Sequence, residues 1–368
     1  MRGAYDVAVV GGGPAGASAA FFLYRAGQKV LLLEKEAIPR RKPCAGAVPL
    51  AALQGFPFSC EETFVEEVVA VGSAWRGQEP RFAPVPAGTM ALVDRPRFDA
   101  HLLARCGGTV RDRCAVVKLH QGGEGVTVET AAGETWLASH VVLACGAASA
   151  LPRRLGIPPG RPVPCLVAEV RGPALLPRLR GRPLFTFGLA PGGYFWLFPK
   201  GDHFSAGIFS VRRRDPDLRH RLQRALERWG LSTDGVEIRV HPVPLYRPGR
   251  VRRVGRVLLA GDAAWLADPF LGEGIRHAIT SGRLAAQALL RGRPEAYPAW
   301  VERSTGRLLG GARTMAHLAY AFPRAASWAL GARPALSAAF CRFFQGKHSY
   351  VGLFWRLPLC LLGLWPRE

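Results

Sequence analysis

Three sets of residues in this chain have types and spacings that chemistry could use. Gly11-x-Gly13-x-x-Gly16 is followed by an acid, Glu34. In such an array Gly11 allows a tight turn, Gly13 lets backbone N–H groups approach a pyrophosphate, and Gly16 lets a helix pack closely on a strand. A carboxylate about 20 residues further on is placed to accept hydrogen bonds from a ribose. Gly261-Asp262-Ala263 and Gly272-Glu273-Gly274 form the second set, far along the chain. The third is a thiol, Cys44, in the stretch Arg-Arg-Lys-Pro-Cys-Ala-Gly-Ala-Val-Pro-Leu from Arg40 to Leu50, together with the aromatic run Tyr194, Phe195, Trp196, Leu197, Phe198. A cysteine in such a place is either a small buried hydrophobe or a weak acid whose neutral form dominates near pH 7.

Elements must hold these residues in place. Val7 to Val10 are apolar or β-branched and suit a buried parallel strand. Residues 14–26 read as a helix that opens with Pro14 and Ala15 and stops at Gly27. Val30 to Leu33 predict a second strand, ended by Glu34 and Lys35. Strand, glycine turn, helix, strand and acid together predict a dinucleotide-binding unit. Its expected contacts are Gly11, Gly13, Pro14, Ala15, Gly16, Glu34 and Lys35. Val257 to Ala260 predict a further strand, which leaves Gly261 and Asp262 at its end, where a carboxylate can hydrogen-bond the ribityl chain of a flavin. Gly272, Gly274 and Ile275 open a helix running to about Leu290, whose N-terminus would aim donors at a flavin's pyrimidine edge. Taken alone, this stretch also reads as an ordinary strand–loop–helix with Asp262 as a turn residue.

Residues 151–250 are of another kind, with short β-rich runs separated by Pro and Gly. The stretch from Gly193 to Ser210 reads as a hairpin turning at Pro199-Lys200-Gly201-Asp202. Its aromatic strand is either core or one wall of an apolar cavity.

The pairing of the two glycine-bearing stretches resembles the flavoprotein fold shared by aromatic hydroxylases and related reductases. Arg95, Phe98, Asp99 and Leu102 match that group's Arg-x-x-Phe-Asp-x-x-Leu pattern, in which the Arg lies by the cofactor. The segment from Ser139 to Gly156 looks like the strand and turn that usually carry Asp-Gly. Here the pair is Cys145-Gly146, which keeps a backbone role for Gly146 and replaces the carboxylate. A narrower likeness follows. Lys-Pro-Cys-Ala-Gly-Ala-Val-Pro-Leu, ending at Leu50, resembles the Lys-Pro-Cys-Gly-Gly-Ala-Ile-Pro-Leu segment of geranylgeranyl reductases, with Ala45 where Gly is common. The stretch from Tyr194 to Phe209 is similar to that family's Tyr-x-Trp-x-Phe-Pro-Lys-Gly motif. The likeness spans roughly residues 5–290.

The resemblance implies bound FAD and reduction of isoprenoid C=C bonds. It places Pro43, Cys44, Ala45, Gly46, Arg95 and Gly146 at the cofactor, and Cys44, Tyr194 and Trp196 in the chemistry. The expected fold is α/β plus β. A Rossmann-like FAD-binding domain comprises 1–60, 94–150 and 251–295. An interleaved antiparallel-sheet substrate domain comprises 61–93 and 151–250, and 296–368 form a helical C-terminal segment. The competing reading is an FAD monooxygenase of an apolar or aromatic substrate. A halogenase or a flavin-binding electron carrier fits the residues less well. No second nucleotide-binding βαβ unit is evident, so NAD(P)H, ferredoxin or another donor could reduce the flavin.

Composition bounds these readings. The chain has 368 residues, 49% hydrophobic and 21% charged, which suits two folded domains rather than disorder. The net charge is +22, carried mostly by Arg. No nucleic-acid-binding motif accompanies it, which leaves a solvated surface, an anionic membrane face or a diphosphate substrate. The eight cysteines include no C-x-x-C pair, so no metal site is expected. Cys60, Cys106, Cys114, Cys165, Cys341 and Cys360 read as structural. The chain opens without a signal-peptide pattern and lacks the run of about 18 apolar residues that a spanning helix needs, so a cytoplasmic location is expected. From Ser327 onward Arg, Lys and His alternate with Trp, Phe and Leu. That pattern fits either peripheral contact with an anionic membrane or a helical cap.

Overall fold

A computed structural model of the chain describes residues 3–212, 215–332, 339, 341–345, 349, 350 and 352. Two compact units share the chain. Met1–Arg41, Pro96–Pro162 and Pro244–Gly310 form one, and Lys42–Arg95, Val163–Val243 and Gly311–Glu368 form the other. The fold class read from the sequence holds: a Rossmann-like sheet with helices, and an antiparallel sheet.

The first unit is built on an eight-stranded sheet. At its centre β1 (Ala4–Val10) lies between β2 (Val30–Leu33) and the strand Thr135–Leu143, parallel to both. Val257–Leu259 and Thr109–Arg111 extend the parallel part on either side. Val7 to Val10 and all of β2 are buried, as apolar runs covered on two faces must be. Helix α1 (Pro14–Arg25) follows β1, with Gly13 as its N-cap and Pro14 in its first turn. The helix Ile275–Leu290 packs against α1. A Cβ on Gly16 would collide with the Gly11 carbonyl oxygen, and one on Gly282 with the Ala15 carbonyl oxygen. Small residues at both places let two helices and a strand lie backbone to backbone. Ser18 Oγ then donates to the Ile279 carbonyl at 2.9 Å across the helix pair.

The second unit carries a seven-stranded sheet in the order Arg239–Val243, Val163–Val170, Phe204–Ser210, Gly193–Pro199, Leu184–Phe187, Ala70–Trp75, Arg81–Pro84. Neighbours are antiparallel except Leu184–Phe187 with Ala70–Trp75. The hairpin expected from the sequence is present, with Gly193 paired to Ser210 and Pro199 to Phe204. A three-stranded sheet of Ala47–Pro49, Met90–Val93 and Phe64–Glu67 belongs to the same unit. Phe195, Leu197, Phe204 and Ile208 form a core with Leu218, Leu222 and Leu226 of the helix Leu218–Arg228.

The later residues are helical through Arg307–Ala321 and Pro323–Ala332. Among the described residues no helix is long and apolar enough to cross a membrane. Most of the amphipathic stretch after Ser327, and Cys360 with it, lies outside the described residues.

The close helix crossing sets a prediction. Gly282→Val should lower stability by about 2–3 kcal/mol, because backbone rather than a flexible side chain must move. Gly310→Ala, on an exposed helical face with nothing within 4 Å of the new methyl, should raise it slightly. Thermal unfolding of the two variants checks both signs.

Candidate active site

Strand register gathers the first set of residues. Val10 pairs with Leu33 on one side and Leu143 on the other, and Leu143 pairs with Leu259. The chain leaves the sheet just after each of these four residues. Gly11, Glu34, Cys145-Gly146 and Gly261-Asp262 therefore stand along one carboxyl edge, where open α/β sheets bind ligands.

Gly11 has φ +109°, and a Cβ there would collide with the Ala144 carbonyl. Glu34 is buried, with Oε2 accepting from Gly12 N–H at 2.6 Å and Oε1 from Glu36 N–H at 3.0 Å. Each carboxylate oxygen keeps a further acceptor direction for a ribose hydroxyl. Lys35 points to solvent and pairs with Glu36 at 3.4 Å. Gly13 offers α1 no side-chain cap, and the first turn holds no acid. The first N–H groups of the helix therefore stay available to an anion.

Arg40 completes this anion site and was not singled out from the sequence. Its Nη2 donates to Asp99 Oδ2 at 2.8 Å, its Nε is 3.5 Å from Glu34 Oε2, and a Cβ on Gly13 would lie 3.0 Å from Nη2. Two buried carboxylates thus hold a guanidinium beside the N-terminus of α1. Its partners stand 6 and 59 positions away, so no local motif announces it. Asp99, read from the sequence only as part of the Arg-x-x-Phe-Asp-x-x-Leu pattern, is the anchor.

The distal segment meets α1 in the same unit. Gly261, at φ +60°, donates its N–H to Ser281 Oγ at 2.9 Å, and a Cβ there would lie 3.0 Å from that of Ala15. Gly274 caps the helix Ile275–Leu290, close to Asp262 Oδ1. The loop before it is pinned by fully buried Asp268, whose Oδ1 accepts from Phe270 and Leu271 N–H at 2.7 and 2.9 Å. Gly272, at φ +65°, donates to the Asp268 carbonyl. Glu273 Oε1 accepts from Arg276 N–H at 2.7 Å, and Oε2 lies 3.4 Å from His277 Nε2. Burial raises the Glu273 carboxyl and lowers His277 well below its usual range. Cys145 stands where the resemblance leads one to expect a carboxylate. Burial, helped by the Asp262 charge, pushes its thiol up to about 11, so it remains a neutral donor near pH 7.

The second unit holds the thiol and the aromatic strand. Gly193–Pro199 is buried throughout, yet alternation divides it. Phe195 and Leu197 join the core, whereas Tyr194, Trp196 and Phe198 stand on the opposite face. The Tyr194 ring contacts those of Phe185, Trp196 and Phe209. Trp196 lies across Gly207 of the neighbouring strand, where a Cβ would strike the indole. Its buried Nε1 has no hydrogen-bond partner among the described residues.

Cys44 belongs to this face. Ser205, cross-strand partner of Phe198, donates to the Cys44 carbonyl at 3.4 Å, and Cys44 Sγ accepts from Gly46 N–H at 3.3 Å. Cys44 is half-buried, as are Pro43 and Ala45, while Gly46 is buried at φ +76°. Lys200, at the hairpin turn, is buried and donates from Nζ to the Val93 carbonyl at 2.6 Å. Burial pushes its ammonium down to about 8. Arg95 is buried next to the same strand end. The structure thus brings Cys44, Tyr194 and Trp196 into one unit, and Gly11 to Glu34 with Gly261 to Ile275 into the other.

The first unit fits FAD on its own features: an uncapped helix start with an anchored arginine suits a pyrophosphate, and the Gly261–Gly274 loops offer backbone close to a carboxylate. Comparison with known proteins agrees. Residues 5–169 match the pyridine nucleotide-disulphide oxidoreductase family, and residues 89–288 the FAD dependent oxidoreductase family. A menaquinone reductase from Mycobacterium tuberculosis is 31% identical over 356 residues, covering 87% of this chain and 85% of its own. A geranylgeranyl diphosphate reductase from Rhodobacter capsulatus is 29% identical, covering 78% and 75%. In fold, the chain is similar to a geranylgeranyl bacteriochlorophyll reductase-like protein from Thermoplasma acidophilum, with TM-score 0.72, 24% identity and coverage of 85% and 87%.

Two outcomes follow from this geometry. Arg40→Met should weaken FAD binding about tenfold or more, the scale of a lost charge-assisted contact, and Arg40→Lys should recover part of it, measured by flavin fluorescence titration. Lys200 binds its proton less tightly folded, at about 8, than at its ordinary 10.5. The folded chain therefore carries the cost of a buried cation below pH 8 and sheds it as pH rises towards 10.5. Urea unfolding should show stability rising across that window relative to Lys200→Met.

Proposed function

This chain belongs to the geranylgeranyl-reductase-like family of FAD-dependent oxidoreductases, and we propose that it saturates isolated C=C bonds in an isoprenoid chain. The observation that carries this reading is the sheet face on which a thiol segment meets buried aromatic rings: Cys44 tied through Ser205, beside Tyr194, Trp196 and Phe198. An isoprenoid offers no polar handle along its length, so a wall of aromatic edges and faces is the surface it would lie against. Such a wall also excludes water.

An isolated trisubstituted alkene accepts hydride poorly unless a proton adds at the same time. Reduced FAD, when bound, supplies the hydride. Gly11, Gly13, Pro14, Ala15, Gly16, Glu34 and Arg40, with Gly261, Asp262, Gly272, Gly274 and Ile275, would hold the cofactor in the first unit, and Gly146 would give it a backbone contact. In the second unit Cys44 gives its S–H proton to the less substituted alkene carbon. One S–H bond breaks, one C–H bond forms, and a thiolate remains to be reprotonated from solvent. Positive character builds on the more substituted carbon. The π faces of Tyr194 and Trp196 attract that charge without adding water to it.

The relatives named above differ in the substrate their names give, menaquinone for one and geranylgeranyl diphosphate for the other. The quinone-borne chain is the first substrate to test, because that likeness extends over more of this chain. FAD-loaded protein, reduced with dithionite without oxygen, should add one H2 per saturated bond to menaquinone, to geranylgeranyl diphosphate or to both, as read by mass spectrometry after air has reoxidised the quinone ring. Cys44→Ser should keep its flavin and slow the reaction about 100-fold or more, the usual scale for losing a positioned proton donor. No saturation of either substrate, together with oxygen-dependent hydroxylation, would mean a monooxygenase instead.

A further inference from the structure

The ammonium of Lys200 is an unusual group to place beneath an aromatic sheet face. It is 8% exposed, and its one hydrogen bond among the described residues runs to the Val93 carbonyl. That bond alone is a structural tie, joining the hairpin turn to the end of Met90–Val93. A carbonyl, however, does not neutralise a buried cation, and a buried cation without a countercharge is costly.

The surroundings name the countercharge. A Cβ on Gly46 would collide with Lys200 Nζ, and Gly46 N–H is 3.3 Å from Cys44 Sγ. Ammonium and thiol therefore flank one residue, whose φ of +76° and lack of a side chain leave room for both. Val93 N–H donates to the Gly46 carbonyl at 2.8 Å, which fixes this corner from the other side. The titratable groups that face Lys200 are Cys44 in its thiolate form, Glu169 and Asp94, which favour its protonated form, and Arg95, which opposes it. Cys44 is the strongest of the favourable three. Glu169 is half in solvent and shared with His203 at 3.4 Å, so its field is screened.

We infer that Lys200 is a positioning residue for Cys44, holding the counter-charge that the thiolate meets when its proton leaves. The inference rests on the reading of Cys44 as proton donor given above. After transfer, the thiolate and the ammonium face each other as an ion pair. An N–H proton of Lys200 then passes to sulfur, and solvent returns a proton to the amine, so the thiol is restored with no net change in atoms.

Cys44 alkylation tests this without relying on turnover. FAD-loaded, substrate-free protein is treated with iodoacetamide at pH 7, and the Cys44 peptide is followed by mass spectrometry. Lys200→Met should slow alkylation about tenfold, because the thiolate is the reacting form, and Lys200→Arg should restore the rate to within about threefold. The gap between wild type and Lys200→Met should close as pH rises past 8, where wild-type Lys200 loses its charge. Equal rates at pH 7 would overturn the inference and leave Cys44 as donor untouched. Slowed alkylation in a protein that saturates no isoprenoid would instead overturn the proposed reaction and leave the ion pair standing. Should Lys200→Met fail to fold, Cys44→Ser serves. Its stability should begin to rise at lower pH than wild type, since Lys200 has lost a supporting charge, and superimposable curves would refute the pairing.

Discussion

The backbone-to-backbone contact of α1 with the helix Ile275–Leu290 is the constraint on which the first unit depends. It requires Gly282 against the Ala15 carbonyl and Gly16 against the Gly11 carbonyl. With larger residues the helices would separate, and the turns that open them would no longer share one end of the sheet. Bringing two helix starts together also concentrates partial positive charge, roughly half a unit each. The sequence answers with acids close to both: Glu34 beside the first, and Asp262, Asp268 and Glu273 beside the second. An anionic dinucleotide adds to that balance. Arg40, held by Glu34 and Asp99, is a fixed share of the positive charge.

Much of this was legible in the sequence, for an identifiable reason. The glycine turn, both strands around it, α1 and the helix from Ile275 to Leu290 arise from local patterns, and local patterns are what a sequence displays. The hairpin at Lys200 was legible for the same reason, since two β-rich runs flank a Pro-Lys-Gly-Asp turn. The division of the aromatic strand was not. Tyr194, Phe195, Trp196, Leu197 and Phe198 form a continuous apolar run, and hydrophobicity alone cannot say which face meets the core. Packing of Leu218, Leu222 and Leu226 decides it, by covering Phe195 and Leu197 and leaving the even positions to the other face. Arg40 is legible only as the start of the thiol stretch and Lys200 only as a turn residue, for a shared reason. A charged residue in a loop reads as solvated, and only partners remote in sequence reveal that it is buried.

A thiol suits the face it occupies better than a carboxylate would. In an apolar setting a carboxylate carries its desolvation cost at all times, or else stays protonated and binds its proton too tightly. A thiol is neutral at rest and becomes charged only as the proton departs. The same reasoning applies to Cys145, where burial keeps a thiol neutral at a place usually held by an acid. The two cysteines differ in their neighbours. Cys145 faces the negative Asp262, which disfavours a thiolate, while Cys44 shares Gly46 with a cation.

A fixed ammonium beside a reaction that builds positive charge on carbon would be a handicap if both charges occupied the same place. Strand geometry sets the ammonium apart from the aromatic rings, though not from the thiol. Residues rise about 3.3 Å each along a strand, so Lys200 at the turn stands about 13 Å along the chain from Trp196 and about 20 Å from Tyr194. The sheet face is thereby graded along its length, with a cation and a thiol at the hairpin end and electron-rich rings towards the other. In the proposed transfer the carbon that gains positive character is bonded to the one that takes the proton, so the charge develops near the thiol, and the thiolate left beside Lys200 is what offsets the ammonium. Glycine at position 207 serves this arrangement directly, because a side chain there would collide with the Trp196 indole and displace it from the sheet face.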